Sequence, residues 1–206
     1  MVKAVIFDAD GVVIFPWRAA QLFEQEYGIT GEMTREFFGS VFVDCLVGKA
    51  DLKEELPSYL TQWGWQASVD DFIRVWFEAE NAPDERVICV VRALQEFGHI
   101  CCLASNQEKH RAEYIRDRMG FAEIFDRLFF SCELGCKKPS RAYYERIMET
   151  LGLVGSDILF WDDSPAAVEG ARGCGWNAEV YAGFEDFEAR LASYLGDGLI
   201  ICRIDD

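Results

Sequence analysis

The apolar positions follow two different periods along the chain. Residues 2–7 form a short, almost entirely apolar run, which is typical of a buried strand. From residue 16 to residue 83, apolar residues recur every three or four positions instead, as at Phe72, Val75 and Trp76. That spacing places apolar side chains along one face of a helix. This part of the chain therefore predicts one strand followed by a helical module.

Beyond residue 83 the pattern alternates between strands and helices. Strands are predicted at 99–104, 127–132, 157–161 and 177–181, and helices at 84–97, 107–119, 140–151, 164–173 and 184–195. Repeated units of this kind, with nearly continuous apolar strands, predict a parallel sheet covered by helices on both faces. We expect an α/β fold: a doubly wound, Rossmann-like core at 1–15 and 84–206, with a small helical cap domain inserted at 16–83.

Polar motifs inside the helical module indicate where two of its helices begin. Ser68 with Asp71 and Asp51 with Glu54 have the spacing of a capping box, in which each side chain bonds to the backbone of the other residue. These signals support several short helices in the module. Trp17 and three further tryptophans of the module have helical spacing, so we interpret most of them as packing residues.

Composition and charge narrow the classes of partner. Half of the 206 residues are hydrophobic, which suffices for one sizeable core and a modest insertion. The formal net charge of -16 disfavours binding to nucleic acid or to an anionic membrane. No uncharged run reaches membrane-spanning length, and Asp8 and Asp10 interrupt the only early apolar run. With eight cysteines mostly in apolar segments, we expect a cytoplasmic protein with reduced thiols.

Chemically active side chains follow four of the predicted strands. They are Asp8 and Asp10 after the first strand, Ser105 and Asn106 after the second, Lys137 and Lys138 after the third, and Asp162 and Asp163 after the fourth. In an open parallel sheet the ligand crevice lies at the carboxyl ends of the strands. We therefore expect these side chains to meet at one edge of the sheet.

The acidic residues in this set indicate a metal site. Carboxylates held this close repel one another, so at neutral pH they require a cation or a shared proton. Oxygen ligands without histidine or cysteine favour a hard ion, and a site that leaves room for water and phosphate favours Mg²⁺. We expect Asp8 and Asp163 to hold Mg²⁺, with Asp162 beside them.

The first two acids also suit covalent phosphate chemistry. An ionised carboxylate such as Asp8 can attack phosphorus without a separate base. Asp10 lies two residues further along an extended segment and therefore projects to the same side. It is placed to protonate a leaving oxygen and then to deprotonate the hydrolytic water. Gly11 gives the backbone space to turn at that point.

Four motifs resemble those of one enzyme superfamily. FDADGVV, LASNQ, CKKPS and FWDDSPAAVEGARGCG occur in the order and spacing of the haloacid dehalogenase superfamily of phosphotransferases, in the branch with a small helical cap after the first strand. The resemblance extends over essentially the whole chain. It implies that Asp8 is the nucleophile, that Asp10 is the general acid and base with its carbonyl on the metal, and that Asp162 and Asp163 anchor Mg²⁺.

The same resemblance assigns the residues that contact phosphate. It implies that Ser105 and Asn106 are phosphate ligands and that Lys138 clamps the phosphate. Gly11 is included among the residues expected to bind substrate. Two structural alternatives stay open, since Ser105 has the spacing of a helix cap with Glu108, and Lys137 is adjacent to Lys138.

The expected function is magnesium-dependent hydrolysis of a small-molecule phosphate monoester through an aspartyl-phosphate. A phosphomutase and a non-catalytic phosphate-binding or phospho-acceptor relative are the alternatives. A dehalogenase is disfavoured, because halide leaves without a proton and such an enzyme has no use for Asp10 or the metal. We expect a monomer or homodimer whose partner is the phosphate ester. The identity of the ester does not follow from the sequence, and the final stretch GLIICRIDD is an extra strand or a docking tail.

Overall fold

A five-stranded parallel sheet forms the centre of the molecule. A computed structural model describes residues 2–15 and 18–195 of the chain. The strands are β1 (Ala4–Phe7), β2 (Ile100–Ser105), β3 (Arg127–Phe130), β4 (Ile158–Asp162) and β5 (Asn177–Val180). Their order is β3-β2-β1-β4-β5, and every neighbouring pair is parallel. The carboxyl ends of all five strands therefore meet at one edge, with β1 in the middle.

Helices separate the strands along the chain. Those after β1 are α1 (Arg18–Tyr27), α2 (Gly31–Gly39), α3 (Val41–Cys45), α4 (Leu52–Gln62), α5 (Val69–Ala79) and α6 (Glu85–Glu96). Those after β2 are α7 (Lys109–Glu113), continued by a π-helical turn at Tyr114–Arg118, and α8 (Phe121–Ile124). The remaining ones are α9 (Ser131–Leu134), α10 (Arg141–Leu151), a 3₁₀ turn at Gly155–Asp157, α11 (Pro165–Arg172) and α12 (Phe184–Leu195).

Alternation along the strands explains the two covered faces. Phe7 of β1 packs in a cluster with residues of α6 and α12, whereas its neighbour Ile6 packs in a second cluster with residues of α10 and α11. Successive side chains of a strand point to opposite faces, so a strand that is apolar throughout needs cover on both sides. The doubly wound α/β sheet predicted from the sequence is confirmed.

The helices between Arg18 and Ala79 have a hydrophobic cluster of their own. It includes Phe37, which is fully buried and whose ring lies beside those of Phe42, Tyr59 and Trp63. The assignment of 16–83 as a cap domain and of 1–15 with 84–206 as the core domain stays a prediction. Trp17 and the C-terminal stretch GLIICRIDD lie outside the described residues.

Several element boundaries differ from the sequence prediction. The strand expected at 127–132 ends at Phe130, because the Ser131 hydroxyl accepts a hydrogen bond from the backbone N–H of Gln107 and donates one to its carbonyl. The helix expected from residue 107 begins at Lys109, and its N-cap is Glu108. The alternative role of Ser105 as a helix cap is therefore wrong. The longer Glu108 side chain reaches the free N–H groups instead.

Within the helical module one capping box is confirmed and one is not. Ser68 and Asp71 form the reciprocal pair at the start of α5. Asp51 caps α4 through the N–H of Lys53, at 2.9 Å, and not through a box with Glu54. An aspartate side chain is short enough to bond two residues ahead without the reciprocal partner.

Two adjacent segments connect the helical module to the sheet. The N–H of Phe15 donates to the carbonyl of Ala82 at 2.9 Å, and the N–H of Asp84 donates to that of Val13 at 2.7 Å. Ile14 and Pro83 form an isolated antiparallel bridge between these bonds. The chain thus leaves the core a few residues after Asp10. It re-enters the core at 82–84, which is hydrogen-bonded to the segment by which it left.

A buried arginine fastens the end of α5 to the core. The Arg111 guanidinium donates to the carbonyl of Phe77 at 3.2 Å and to that of Glu80 at 3.1 Å. The Glu80 carboxylate lies 3.9 Å from the same guanidinium and accepts a hydrogen bond from the Trp76 indole at 3.0 Å. Burial raises the pKa of Glu80 to about 7 in spite of Arg111, and the nearby charge of Asp10 adds to the rise.

None of the helices in the described part of the chain is long and apolar enough to cross a membrane. Nor does any disulfide join two of the cysteines in residues 2–15 and 18–195.

Glu80→Gln is expected to stabilise the protein at alkaline pH. Because the folded pKa lies above the usual 4.5, wild-type stability falls as pH rises from about 4.5 to about 7 and then stays low. Glutamine removes this loss, so at pH 8 the variant should gain about 3 kcal/mol in the free energy of unfolding. Urea denaturation at pH 8 and pH 4.5 measures the difference, which should vanish at the lower pH.

Glu78→Gln is the matched control, because Glu78 is exposed and pairs with Arg74 of the same helix. It should change stability by less than about 0.5 kcal/mol at either pH. A Glu80→Gln protein less stable than wild type at pH 8 would contradict the assigned shift in pKa.

Candidate active site

The carboxyl edge of the sheet holds a small polar cavity. Its volume is about 330 Å³, and it is lined by every predicted site residue except Gly11. The N–H of Asp8 donates to the carbonyl of Trp161 at 2.9 Å, which aligns the end of β1 with the end of β4. The sequence prediction that residues from four strand ends meet at one edge therefore matches the geometry.

Lys138 occupies the centre of this cavity. It is 5% exposed, and its ammonium lies 2.8 Å from Asp8 Oδ1 and 2.6 Å from Asp162 Oδ2. It also donates to the carbonyl of Ala104 at 2.9 Å. Burial alone lowers the pKa of Lys138, but the two carboxylates outweigh burial and raise that pKa above its usual value. Lys138, and not Lys137, is thus the lysine that reaches the acidic residues.

Three carboxylates form a cluster beside this ammonium. Oxygen atoms of Asp8, Asp162 and Asp163 all lie within 4.8 Å of one another. Asp162 is fully buried, and its two oxygens accept from Lys138 and from the N–H of Ser164 at 2.8 Å. Both oxygens of Asp162 therefore already have a hydrogen-bond donor, which leaves little capacity to bind a metal ion. Asp8 Oδ1 accepts from Lys138 and from the N–H of Ala9, which leaves Oδ2 of Asp8 and the more exposed Asp163 for a cation.

The pKa values of this cluster show that burial disfavours the charged forms of its carboxylates. Burial raises the pKa of Asp8 to about 7, although the Lys138 ammonium opposes the rise. Burial and the Asp162 charge also raise the pKa of Asp163. A divalent cation beside these groups would favour their ionised forms. The available ligand atoms are all oxygens, and some of them have no hydrogen-bond partner in the described part of the chain. Such a set fits a hard ion such as Mg²⁺.

Gly11 lies directly behind the Asp163 carboxylate. Its φ angle is +86°, and a Cβ atom at this position would come within 2.3 Å of Asp163 Oδ2. Glycine is therefore required both for the turn and for the position of the carboxylate. Gly11 does not itself line the cavity, so its predicted contact with substrate stays a prediction.

Asn106 fastens the loop that carries Lys138. Its Oδ1 accepts from the N–H of Lys138 at 2.9 Å, and its Nδ2 donates to the Lys138 carbonyl at 3.1 Å. The amide thus holds the backbone on either side of the Lys138 side chain. Asn106 therefore positions the backbone of Lys138. This role was not predicted from the sequence, which indicated only a phosphate ligand.

Gln107 is a site residue that the sequence analysis missed. It is 6% exposed, and its Nε2 donates to Asp10 Oδ2 at 2.6 Å and to the Ser105 hydroxyl at 3.0 Å. Arg111 approaches Asp10 from another side at 3.9 Å. Gln107 belongs to the quoted motif LASNQ, but it was assigned only as the start of a helix. Its position directly after the strand end was the available signal.

A second, larger cavity opens next to the first. Its volume is about 730 Å³, and its walls come from the helical module on one side and from the region around α7 on the other. Asp10 and Asn106 line both cavities. The basic residues of the module are Arg18, Arg35, Lys49, Lys53 and Arg74, and of these Arg35 alone lines this cavity. Lys53 and Arg74 form ion pairs with acids elsewhere.

Known proteins with similar sequences include one named as a phosphatase. Phosphatase MT3486 of Mycobacterium tuberculosis (strain CDC 1551 / Oshkosh) is 28% identical over 189 residues, which cover 86% of each chain.

Solved structures share the fold at lower identity. A HAD family enzyme from Bacteroides thetaiotaomicron, in complex with magnesium and inorganic phosphate, has a TM-score of 0.71 and 18% identity, over 89% of this chain and 96% of that one. The L-2-haloacid dehalogenase of Xanthobacter autotrophicus, with chloropropionic acid covalently bound, has a TM-score of 0.67 and 21% identity, over 97% and 84%. A family model described as haloacid dehalogenase-like hydrolase matches residues 2–175. The chain therefore belongs to the haloacid dehalogenase-like hydrolases.

Proposed function

We propose that the protein is a magnesium-dependent phosphatase that hydrolyses a small phosphate monoester through an aspartyl-phosphate at Asp8. The observation that carries this proposal is the buried Lys138 ammonium between Asp8 and Asp162, in a polar cavity of about 330 Å³. The phosphatase of M. tuberculosis and the magnesium and phosphate complex of the B. thetaiotaomicron enzyme support the same chemistry.

Asp8 and Asp163 are the side chains we assign to Mg²⁺, together with the carbonyl of Asp10. Bound there, the ion offsets negative charge on the phosphate oxygens and on the carboxylates. We do not assign Asp162 as a direct ligand of the ion. Its oxygens accept hydrogen bonds from Lys138 and from the N–H of Ser164, so it positions these groups instead. Lys138 keeps its proton and acts on the phosphate through its positive charge, because its three N–H groups already bond to Asp8, Asp162 and the carbonyl of Ala104. The Ser105 hydroxyl at the end of β2 donates to a phosphate oxygen.

In the first half of the reaction, a carboxylate oxygen of Asp8 attacks phosphorus as the bond to the ester oxygen breaks. Asp10, protonated for this step, gives its proton to the departing alcohol. In the second half, Asp10 takes a proton from water as that water attacks phosphorus, and the bond to Asp8 breaks. Inorganic phosphate leaves, Asp8 is again a carboxylate, and Asp10 again carries a proton.

Gln107 orients the acid and base in this scheme. Its amide donates to Asp10 Oδ2 and leaves Oδ1 to carry the proton that is transferred. We assign residues 16–83 as the cap and the remainder as the catalytic core, since the larger cavity lies where these two parts meet. A dehalogenase has no need of a group that protonates the leaving atom, so the buried Gln107 to Asp10 contact favours the phosphatase.

Asp8→Asn is expected to abolish phosphate release. Without a carboxylate to attack phosphorus, the rate with 4-nitrophenyl phosphate and Mg²⁺ should fall by about a thousandfold or more. Wild-type activity should also disappear with a chelator and return with added Mg²⁺. Asp157→Asn is the matched control, because Asp157 pairs with Lys3 outside the cavity, and it should retain activity.

A wild-type protein that binds phosphate but turns over no ester would support the non-catalytic alternative. Release of halide from 2-chloropropionate at a rate above that of phosphate release would support a dehalogenase instead.

Gln107→Leu is expected to lower kcat by about tenfold with little change in KM, because one hydrogen bond that orients Asp10 is lost. The loss should be larger for an alkyl phosphate than for an aryl phosphate, since only the alkoxide strongly requires a proton as it leaves. Steady-state kinetics with both esters measure the ratio. Gln66→Leu, at an exposed glutamine bonded to Gly64, is the control. Equal losses for the two esters would rule out a role through Asp10.

A further inference from the structure

We infer that the larger cavity binds the alcohol part of the substrate, and that this alcohol is an uncharged, mainly hydrocarbon group. The substrate class is then a phosphate monoester of an apolar alcohol and not a sugar phosphate or a nucleotide. This inference rests on the proposed function, because it takes the small cavity to hold the phosphoryl group.

The two cavities share lining residues beside the expected position of the leaving oxygen. Asp10, which we assign to protonate that oxygen, lines both of them, as does Asn106. An ester whose phosphorus lies near Asp8 must therefore extend past Asp10 into the larger cavity. With about 730 Å³ this space exceeds what a short alcohol fills.

Aromatic and aliphatic side chains form most of the wall on the side of the helical module. Five aromatic rings contribute, from Phe23, Phe38, Phe42, Phe72 and Trp76. Phe38 is 38% exposed although its ring packs against those of Phe42 and Trp76. Apolar surface left in contact with water favours a ligand that covers it, and a concave shape next to a reactive centre is typical of a binding site.

The polar groups of this cavity offer little to a polyol. On the module side the described lining includes one hydroxyl, that of Thr34, which already bonds weakly to carbonyls of its own helix turn. On the core side the Arg111 guanidinium is occupied by two carbonyls. Sugar hydroxyls placed against the module side of the cavity would lose water and find few partners there, at a cost for each of them.

Charge in the cavity opposes a second anionic group near the phosphate. Asp10 and Glu108 line its core side beside the Arg111 guanidinium, and Glu80 adds a third carboxyl group from the end of the module. Arg35, the basic residue of the module wall, is exposed. A nucleotide or a bisphosphate would therefore bring further negative charge towards an acidic wall. A neutral hydrocarbon group meets no such repulsion.

A series of primary alkyl phosphates tests the inference. Methyl, ethyl, propyl and butyl phosphate leave as alcohols of similar acidity, so that differences in kcat/KM report binding of the chain. We expect kcat/KM to rise by about threefold for each methylene, or roughly 30-fold from methyl to butyl. Glucose 6-phosphate should be a poorer substrate than butyl phosphate. A flat series, or glucose 6-phosphate as the better substrate, would overturn the inference.

Phe38→Ser should reduce the butyl to methyl ratio of kcat/KM by at least about threefold, because it removes apolar surface from the wall. Phe97→Ser is the matched control. Phe97 is 57% exposed and lies outside the cavity, so its loss should leave the ratio unchanged. Thermal melts of both variants check that each is folded, and a ratio unaffected by Phe38→Ser contradicts the assigned wall.

If no ester is hydrolysed, the proposed function fails. The inference about the cavity can then be tested by binding alone, with calorimetry that measures the affinities of methylphosphonate and butylphosphonate in the presence of Mg²⁺. Tighter binding of the butyl compound, by about 30-fold, would support an apolar pocket beside a phosphate site. Equal affinities would overturn the inference.

Discussion

The contact on which the site depends is the buried ammonium of Lys138 between Asp8 and Asp162. Removing such charges from water is expensive, and a buried pair seldom repays that cost as stability alone. Here it fixes the positions of two strand ends and leaves one oxygen of Asp8 and the Asp163 carboxylate to face the cavity. The protein thus holds a charged site ready before any ligand arrives, which is the condition for electrostatic catalysis.

The helical module is coupled to this site through a few contacts close to Asp10. One of the two paired segments that connect the module to the sheet, at 13–15, follows Asp10 within a few residues, and Arg111 lies near both Asp10 and Glu80. A movement of the module would therefore act on the residue that we assign to proton transfer. The larger cavity shares Asp10 with the smaller one, which is where the leaving group of the proposed reaction would lie. In the function that we propose, the sheet edge would set the reaction type and the module would set the choice of substrate.

Much of this organisation was predictable from the sequence, because parallel strands deliver their last residues to one edge. That rule brought Asp8 and Asp162 together, whereas Lys138 lies in a loop beyond α9 and was assigned from its motif, CKKPS. The particular contact between Gln107 and Asp10 was not predictable, since a position after a strand end does not show which side chain it meets across 97 positions. The early end of β3 has the same cause, because Ser131 bonds to Gln107 and leaves the strand. Local spacing likewise favoured Ser105 as a helix cap, whereas the longer side chain of Glu108 takes that role.

The account requires that the acids at the ends of β1 and β4 bind a divalent ion, and a magnesium titration of thermal unfolding tests this most directly. Saturating Mg²⁺, at about a hundred times its dissociation constant, should stabilise the wild type by about 2.7 kcal/mol and raise its Tm by several degrees. Asp163→Asn should lose this shift, whereas Asp157→Asn, away from the cavity, should keep it. No shift in the wild type, or an equal shift in Asp163→Asn, would contradict the account.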